Sequence, residues 1–332
     1  MAYAQYTCSV KAPGKINLHL RVKEKRADGF HGLESLFAAI AFGDTLFFEQ
    51  IDEGSWELGI NWHPSALETL NDKSRENLDL FAENNLVSRA AALFRAKTNI
   101  KSGFRCTLEK HIPLGAGLGG GSSDAASALL ALNFMTKAGL SREDLLEMAL
   151  KLGSDVPFFI SGGAAWISGR GEHIESIPAP GDFGVLLVKP PFPSNTALAY
   201  QCLDRHREKA PGPISGISGS PESGFIPGKP EYPGREDLKN IWALPPGDWP
   251  FYNDFLPLLP ERESYGRILK NLKDQGALFS GLSGSGSCCF GIFEDKKKAA
   301  MAEKALKSSG NNKNFIQLTF FLASGADPVL QY

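Results

Sequence analysis

Residues 113–126 read PLGAGLGGGSSDAA, with five glycines in seven consecutive positions. Glycine has no Cβ atom, so such a loop can adopt positive φ angles and bring its backbone N–H groups close to a ligand. Ser122, Ser123 and Asp124 are good N-cap residues, and the apolar helix formers of residues 125–134 predict a buried helix after them. A helix start offers unpaired N–H groups and the positive end of a dipole. The stretch therefore predicts a phosphate-binding loop, with the two serine hydroxyls as further donors.

Two other phosphate loops contain dense glycines, and the sequence excludes both. A P-loop needs a lysine after its second glycine, whereas here Gly121 follows Gly120. A dinucleotide-binding loop needs a second strand ending in an acidic residue about twenty positions on. Residues 141–152 instead predict another helix. A tight turn whose glycines serve only packing remains the alternative.

The composition is that of an ordinary globular protein. Its 332 residues are 42% hydrophobic, enough for a large core, and the length predicts two domains. A net charge of −2 gives no broad positive field for nucleic acid or an anionic membrane, so an anionic ligand has to be held locally. There is no apolar signal core and no run of about 20 apolar residues. We therefore expect a cytoplasmic protein with no nucleic-acid or membrane partner.

The cysteines point to the same compartment. They are five, an odd number, and lack C-x-x-C spacing, which argues against a disulfide framework or a zinc site. Reduced thiols are the simplest expectation for Cys8, Cys106, Cys202, Cys288 and Cys289.

Residue patterns predict an α+β chain. Strict alternation over residues 16–23 predicts a half-buried strand, and residues 104–109 alternate again before the glycine loop. Ser141 and Asp144 form a capping-box pattern for a helix that ends at Gly153. Further strands are predicted at 45–51, 164–168, 173–177, 185–189, 277–282 and 315–322, and one more follows residue 287 and ends at residue 293. Further helices are predicted at 85–94, 196–207, 265–275 and from 296, whereas 33–42 is apolar and ambiguous.

A domain boundary is predicted near residues 178–182. The first domain would span residues 1–180, and the second, residues 181–332, would pack two helices on one face of a small antiparallel sheet. Residues 208–250 hold nine of the chain's 21 prolines and no apolar periodicity. This insertion predicts a surface appendage or lid rather than core.

Few polar residues suggest chemistry by themselves. No Ser/His/Asp order, metal-spaced histidine pair or carboxylate dyad stands out. Asp155, between a helix end and a proline-bearing turn, is by default a capping or turn residue. Lys15, after Pro-Gly at the entry to a strand, is by default a solvated charge.

Three motifs together resemble, in order and spacing, those of the GHMP small-molecule kinases. They are KAPGKINL at 11–18, PLGAGLGGGSSDAA at 113–126 and LSGSGS at 282–287. Three further stretches resemble one subfamily, which phosphorylates 4-diphosphocytidyl-2-C-methyl-D-erythritol. They are RADGFH at 26–31, LGSDVP at 152–157 and Asn253-Asp254. The resemblance runs from residue 11 to residue 293 without the insertion. It implies a two-domain α+β architecture, with an N-terminal ATP-binding domain built on a mixed sheet like domain 2 of ribosomal protein S5 and a C-terminal ferredoxin-like antiparallel sheet with helices.

The resemblance implies transfer of the γ-phosphoryl group of ATP, with Mg²⁺, to the 2-hydroxyl of that small molecule. This is a step of non-mevalonate isoprenoid biosynthesis, expected of a monomer or weak homodimer. Asp155 would be the general base and Lys15 its partner beside the acceptor hydroxyl. An alcohol is a poor nucleophile until its proton has an acceptor, and a nearby lysine keeps the carboxylate ionised.

The same resemblance assigns residues to ATP. Asn85, Leu86 and Lys110 would surround the adenine, although Asn85 could equally cap its helix. Ser123 and, through water, Asp124 are candidate magnesium ligands, although Asp124 could serve only the helix dipole. The phosphates would be held by Pro113, Gly115, Ala116, Gly117, Leu118, Gly119, Gly120, Gly121, Ser122 and Ser123.

At the cytidyl end, Phe30 and Tyr200 match an aromatic pair that sandwiches the cytosine, and His31 matches the residue that hydrogen-bonds its edge. The family often has tyrosine at the position of Phe30, so a phenol contact is absent here while stacking survives. Asn17 would face the erythritol hydroxyls, and Thr196 would cap its helix, bind substrate or do both. The third motif would fold against the first and shape the substrate pocket, or form only a glycine hairpin.

Two alternatives stay open. Another GHMP enzyme, of homoserine or mevalonate type, is disfavoured by Phe30, His31 and Tyr200, because those substrates have no base to stack. A catalytically silent nucleotide-binding protein on the same scaffold is disfavoured by the intact Lys15 and Asp155.

Overall fold

The computed structural model describes residues 7–26, 29–67, 85–209, 241, 244–309, 313–325 and 329–331. The strands are β1 (Thr7–Lys25), β2 (His31–Ile51), β3 (Trp56–Trp62), β4 (Gly103–Lys110), β5 (Ala164–Gly169), β6 (His173–Ile177), β7 (Gly184–Lys189), β8 (Phe279–Leu282), β9 (Cys289–Phe293), β10 (Phe315–Phe320) and β11 (Val329–Gln331). The helices are α1 (Pro64–Leu67), α2 (Leu86–Thr98), α3 (Gly120–Thr136), α4 (Arg142–Leu152), α5 (Val156–Ser161), α6 (Thr196–Lys209), α7 (Arg262–Asp274) and α8 (Lys296–Ser308).

Two sheets organise the molecule. The first has the order β11-β1-β2-β4-β3, with β5 paired to β2 and β6 paired to β5. Its strands pair antiparallel except β3 and β4, which run parallel. The second sheet is antiparallel, in the order β10-β7-β9-β8. The predicted α+β class, with one mixed and one antiparallel sheet, is confirmed.

Strand β7 shows how the second sheet is covered. Its residues alternate between two apolar clusters: Leu186 and Val188 face the cluster that contains α7 and α8. Val185 and Leu187 face the cluster shared with β1 and β2. The prediction of two helices on one face is therefore confirmed, and the other face packs against the first sheet.

A third apolar cluster lies between the first sheet and helices α2 to α5. Helix α3 is buried on most of its circumference, as its apolar sequence predicts. Helix α4 has the predicted capping box between Ser141 and Asp144, and the N–H of Gly153 bonds its last turn. Helix α3, which follows the glycine loop, also packs against β1.

The first two strands are longer than predicted. Residues 33–42 and 45–51 form one strand, β2, paired with β1. Register shifts in β1 fall between Pro13 and Gly14 and again between Asn17 and His19. Such irregularities bend a strand and re-aim its side chains. They bracket Lys15, which the prediction places in the active site.

Two strands were not predicted. Strand β3 carries an exposed edge of the first sheet, and β11 pairs with β1, where Leu330 lies opposite Cys8. The proposed boundary at residue 180 lies between β6 and β7, which belong to different sheets. Residues 329–331 nevertheless return to the first sheet.

Most of the predicted insertion, residues 210–240 and 242–243, lies outside the described residues. Trp249 is an exception to the expectation of surface structure, because it is 3% exposed and packs on Phe251 and Phe279. All five cysteines are free thiols. Within the described ranges, no helix is long and apolar enough to cross a bilayer.

Candidate active site

The loop between β4 and α3 owes its shape to alternate glycines. Gly115, Gly117 and Gly119 have φ angles of 63°, 75° and 71°, in the left-handed region that favours glycine. Left-handed residues alternating with others form concave nests of N–H groups that bind anions. A Cβ on Gly117 would also lie 2.3 Å from the carbonyl oxygen of Ser283. Conformation and space therefore both require glycine at this position.

Helix α3 begins with N–H groups that have no partner among the described residues. Its N-cap is Gly119, no described side chain caps it, and its first turn has no acidic residue. The N–H of Ser123 donates to the Gly119 carbonyl at 2.9 Å, so those of Gly120, Gly121 and Ser122 have no partner within the helix. The prediction that the serines and the following aspartate cap the helix is wrong, because helical conformation already begins at the glycines. The positive end of the dipole lies in the glycine loop itself.

The loop between β8 and β9, which carries the third motif, holds the glycine loop in place. The Ser283 hydroxyl accepts from the Asn17 N–H at 3.2 Å and donates to the Gly117 carbonyl at 2.9 Å. The Ser287 N–H donates to the Gly115 carbonyl at 3.3 Å. The prediction that the third motif folds against the first is confirmed. Its role in the substrate pocket stays a prediction.

Lys15 and Asp155 form an ion pair beside the glycine loop. Lys15 Nζ lies 3.6 Å from Asp155 Oδ2. The Lys15 N–H donates to the Leu118 carbonyl at 2.9 Å, and a Cβ on Gly119 would lie 3.1 Å from Lys15 Cγ. The ammonium also lies 4.5 Å from the centroid of the Phe37 ring. The lysine stem therefore packs directly against the glycine loop.

The two charges of this pair differ in burial. The Lys15 side chain is 5% exposed and that of Asp155 is 34% exposed. Burial lowers the pKa of Lys15, and the Asp155 carboxylate opposes that change. Asp155 stands at the N-cap position of α5 but makes no capping hydrogen bond there. The capping part of the default expectation is therefore wrong, whereas the turn part holds, because Asp155 lies in the turn before α5.

Asn17 supports the Lys15 ammonium. Its Oδ1 accepts from Lys15 Nζ at 2.5 Å, and its Nδ2 donates to the Ser35 hydroxyl at 2.9 Å. Ser35 in turn donates to the carbonyl of His19 at 2.6 Å. No sequence motif marks Ser35, which lies in an apolar part of β2. The contact of Asn17 with the erythritol hydroxyls stays a prediction.

Ser35→Ala is expected to lower the free energy of unfolding by about 1–2 kcal/mol, because the Asn17 amide and the His19 carbonyl lose a buried partner. Ser127→Ala is the matched control, since the Ser127 hydroxyl is buried and has no hydrogen-bond partner among the described residues. The control is expected to leave stability unchanged or to raise it, because it removes a buried hydroxyl that pairs with no described residue. Urea unfolding followed by circular dichroism measures both, and equal losses would contradict the assigned network.

The residues predicted around the adenine lie in different surroundings. Asn85 caps α2, since its Oδ1 accepts from the Val87 N–H at 2.9 Å. Leu86 lies beside the glycine loop, because a Cβ on Gly121 would be 3.9 Å from Leu86 Cδ1. Lys110 lies beneath that loop, with its side chain 6% exposed. Contact of these three residues with adenine stays a prediction.

Lys110 is the centre of a buried charge cluster. Its ammonium lies 2.7 Å from Asp124 Oδ2 and also bonds Asp44. The other oxygen of Asp44 accepts from the N–H groups of His111 and Ile112, at 2.6 and 2.8 Å. Burial raises the pKa of Asp124, and the Lys110 ammonium opposes that rise. The cluster ties the end of β4 to the first turns of α3 and so fixes both ends of the loop. No motif predicts Asp44.

His31 and Tyr200 stack on each other. Their ring centroids are 5.1 Å apart, with 26° between the planes, and Tyr200 meets the Phe255 ring at 5.0 Å in a T-shaped contact. Phe30 is 54% exposed, and the Arg170 guanidinium lies 3.9 Å from its ring centroid. The ring stacked on Tyr200 is therefore that of His31. A sandwich of cytosine between Phe30 and Tyr200 stays a prediction.

Tyr200 connects this aromatic group to the ion pair. Burial raises the pKa of Tyr200, and the negative charge of Asp155 adds to the rise. The phenol thus lies within electrostatic reach of the carboxylate. We therefore expect the aromatic rings and the ion pair to belong to one site.

Asp204, on α6, holds His31, the first residue of β2. Its Oδ1 lies 2.8 Å from His31 Nε2, and its Oδ2 lies 3.4 Å from Lys25 Nζ. The His31 side chain is 6% exposed. No sequence pattern singles out Asp204, because it lies among other charged residues of an amphipathic helix.

Thr196 bonds the third motif. Its hydroxyl lies 2.9 Å from the Ser285 hydroxyl, and Ser194 donates to the Ser285 carbonyl at 2.7 Å. Asn195 takes the capping position of α6, since its Oδ1 accepts from the Leu198 N–H at 3.0 Å. The capping alternative for Thr196 is therefore wrong, and its contact with substrate stays a prediction.

Known proteins resemble this chain over almost its whole length. A 4-diphosphocytidyl-2-C-methyl-D-erythritol kinase from Prosthecochloris aestuarii is 34% identical, over 91% of this chain and 94% of its own length. One from Chlorobium chlorochromatii is 36% identical, over 90% and 93%. A crystal structure of 4-(cytidine 5'-diphospho)-2C-methyl-D-erythritol kinase superposes with a TM-score of 0.68 at 30% identity, covering 94% of this chain and 98% of that one. A homoserine kinase from Cytophaga hutchinsonii shares the fold, with a TM-score of 0.65 at 17% identity over 99% of each chain.

Family models agree with this likeness. Residues 85–163 match the model described as GHMP kinases N terminal domain, and residues 255–312 match GHMP kinases C terminal. The fold and the glycine-loop site are thus those of a GHMP kinase. With relatives above 30% identity over nine-tenths of the chain, the protein belongs to the family of 4-diphosphocytidyl-2-C-methyl-D-erythritol kinases.

Proposed function

We propose that this chain transfers the γ-phosphoryl group of ATP to the 2-hydroxyl of 4-diphosphocytidyl-2-C-methyl-D-erythritol, in line and without a covalent enzyme intermediate. The observation that carries the proposal is the ion pair of Lys15 and Asp155, 3.6 Å long, beside a loop with unpaired N–H groups. Phosphoryl transfer depends mainly on alignment and on neutralising charge. The glycine loop would align the phosphates and neutralise their charge, and Asp155 beside it would accept the proton of the alcohol. The substrate is taken from the names of the relatives.

Asp155 acts as the general base. Its partly exposed carboxylate accepts the proton of the substrate hydroxyl as the oxygen attacks the phosphorus. Lys15 stays buried beside it, with its Nζ 3.6 Å from Asp155 Oδ2. Its ammonium also stabilises the negative charge that develops on the substrate oxygen. Asn17 and Ser35 hold that ammonium in position.

The glycine loop holds the phosphates of ATP. The N–H groups of Gly120, Gly121 and Ser122 point out of the helix start, and the dipole of α3 favours negative charge there. The Ser122 hydroxyl adds a donor. Leu86 and Lys110 lie next to Gly121 and Gly120 of the loop, and Asn85 precedes Leu86 in the chain. We assign the adenine to the neighbourhood of these three residues.

Oxygen atoms suited to Mg²⁺ lie at the start of α3. Ser123 Oγ and Asp124 Oδ1 are buried and have no hydrogen-bond partner among the described residues. Mg²⁺ prefers such hard oxygen atoms and keeps several waters, so the two residues fit the ion. Ser123 would hold it directly and Asp124 through water. When bound, the ion neutralises negative charge on the phosphates.

The cytidyl end of the substrate is assigned to Phe30, His31 and Tyr200, and its erythritol part to Asn17 and Thr196. We further propose that residues 1–180 and 181–332 act as two domains around this site. The free thiols support a reducing, cytoplasmic location, and nothing in the reaction requires more than a monomer or weak homodimer.

His31→Ala is expected to raise KM for the cytidyl substrate about tenfold, because one hydrogen bond and one stacking surface are lost. The affinity for ATP is expected to stay within twofold, since His31 contacts the aromatic group and not the glycine loop. Steady-state kinetics with each substrate varied in turn measures both values. An unchanged KM for the cytidyl substrate would refute this placement of the base.

Release of ADP tests the function. The chain is incubated with ATP, Mg²⁺ and, separately, the cytidyl substrate, mevalonate, homoserine and galactose, and a coupled assay follows ADP. We expect turnover with the cytidyl substrate alone. Turnover with mevalonate or homoserine instead would favour another GHMP activity. ATP binding without turnover on any compound would favour a catalytically silent protein.

A further inference from the structure

The contact between His31 and Asp204 joins the two parts of the chain at the aromatic group. His31 opens β2 of the first sheet, whereas Asp204 lies on α6 beside the second. The distance of 2.8 Å between Nε2 and Oδ1 is that of a charge-assisted hydrogen bond. Because a carboxylate can only accept, Nε2 carries the hydrogen in this contact.

This hydrogen bond determines which ring nitrogen of His31 is free of hydrogen and can act as an acceptor. In neutral histidine only one ring nitrogen carries a hydrogen, so Nδ1 of His31 becomes an acceptor. The Lys25 ammonium, 3.4 Å from the other oxygen of Asp204, already balances the carboxylate charge. Among the described residues, none hydrogen-bonds Nδ1.

An unprotonated Nδ1 favours a ligand that donates a hydrogen bond to it. His31 lies flat on Tyr200, which is the setting of a planar heterocycle rather than of an aliphatic chain. Cytosine carries an amino donor at C4, where uracil carries a carbonyl acceptor. Two facing acceptors repel, so Nδ1 discriminates between the two bases.

We propose that Asp204 is a positioning residue that fixes the tautomer of His31 and thereby makes the site prefer an amino-bearing pyrimidine over an oxo-bearing one. The proposal rests on the proposed function, which supplies a cytidyl group as the ligand. Asp204 itself touches His31 and Lys25, and acts on the base only through the imidazole.

Nitrogen NMR of the histidine ring tests the tautomer without any substrate. In ¹⁵N-histidine-labelled protein at pH 8, Nδ1 of His31 is expected to resonate as an unprotonated nitrogen and Nε2 as a protonated one. Asp204→Asn and Asp204→Ala are expected to shift the two signals towards each other, as the tautomers mix. Asp274→Ala, which removes an exposed carboxylate paired with Lys270 on α7, is the matched control and is expected to leave both signals unchanged. A hydrogen on Nδ1 in the unaltered protein would overturn the proposal.

Steady-state kinetics with the cytidyl substrate and its uridyl analogue tests whether Asp204 affects the preference between the two bases. The ratio of the two kcat/KM values is expected to fall about tenfold in both Asp204 variants, equivalent to roughly 1.4 kcal/mol, and to stay unchanged in Asp274→Ala. The loss is expected in KM for the cytidyl substrate, with kcat within twofold. A ratio equal to that of the unaltered protein would overturn the proposal. Failure of the unaltered protein to phosphorylate either substrate would instead refute the proposed function, while the NMR result would still report the tautomer.

Discussion

Asp155→Asn is expected to lower kcat with the cytidyl substrate by about 10²- to 10⁴-fold, the contribution of a general base, while ATP binds with nearly unchanged affinity. An amide of the same size cannot take the proton of the acceptor hydroxyl. In the proposed function the glycine loop holds ATP, whereas the Asp155 carboxylate pairs with Lys15. Single-turnover measurements of phosphoryl transfer, together with calorimetric titration of ATP, separate the two effects.

The control for this variant is Asp182→Asn. Asp182 is 83% exposed and pairs with Lys296 on the surface, so the same chemical change is expected to leave kcat and ATP affinity as they are. Turnover of Asp155→Asn at the rate of the unaltered enzyme would remove Asp155 from the mechanism. A joint loss of ATP binding would indicate a damaged loop instead.

Gly117→Ala is expected to lower the free energy of unfolding by about 2–5 kcal/mol, from left-handed backbone strain and from overpacking against the third motif. The added Cβ would meet the Ser283 carbonyl at 2.3 Å and that of Gly286 at 2.7 Å. Relief of these contacts must move the glycine loop, so ATP affinity is expected to fall with stability. Thermal unfolding and ATP titration on the same preparation measure both.

Gly139→Ala separates strain from contact. Gly139 has a φ of 68°, close to the 75° of Gly117, but a Cβ there meets no atom within 4 Å. This control is expected to cost only about 1–2 kcal/mol and to leave ATP affinity unchanged. Equal losses in the two variants would show that the close approach of the third motif contributes nothing.

The sequence predicts the parts of the site that follow from local chemistry. The capping box of Ser141 and Asp144 and the glycine loop depend on neighbouring residues, and the alternation in β1 and β4 is visible within each strand. The N-cap of α3 was misplaced because serine is the commoner cap, whereas Gly119 enters the helix from a left-handed conformation. The edge strand β3 and the returning β11 were missed because both are defined by their partners.

The residues that support the site could not be found from local patterns. Ser35 reaches Asn17 across two paired strands, and Asp44 reaches Lys110 from a strand 66 positions away. Asp204 meets His31 at a separation of 173 residues. Each is a single common polar residue in an unremarkable stretch, and only the packed fold gives it a partner. The motif residues Lys15 and Asp155 were predictable because both lie in motifs shared with a known family.

The identity of the phosphorylated hydroxyl is the most direct test of the central claim, that the Lys15–Asp155 pair beside the glycine loop directs ATP to one alcohol. Phosphorus NMR of the product of the unaltered enzyme decides it, because the 2-carbon of the methylerythritol carries a methyl group and no hydrogen. A phosphate ester at that carbon is predicted to give a new phosphomonoester signal without three-bond coupling to a carbinol proton. A signal split by such a proton, or ADP formation without a new ester signal, would contradict the account.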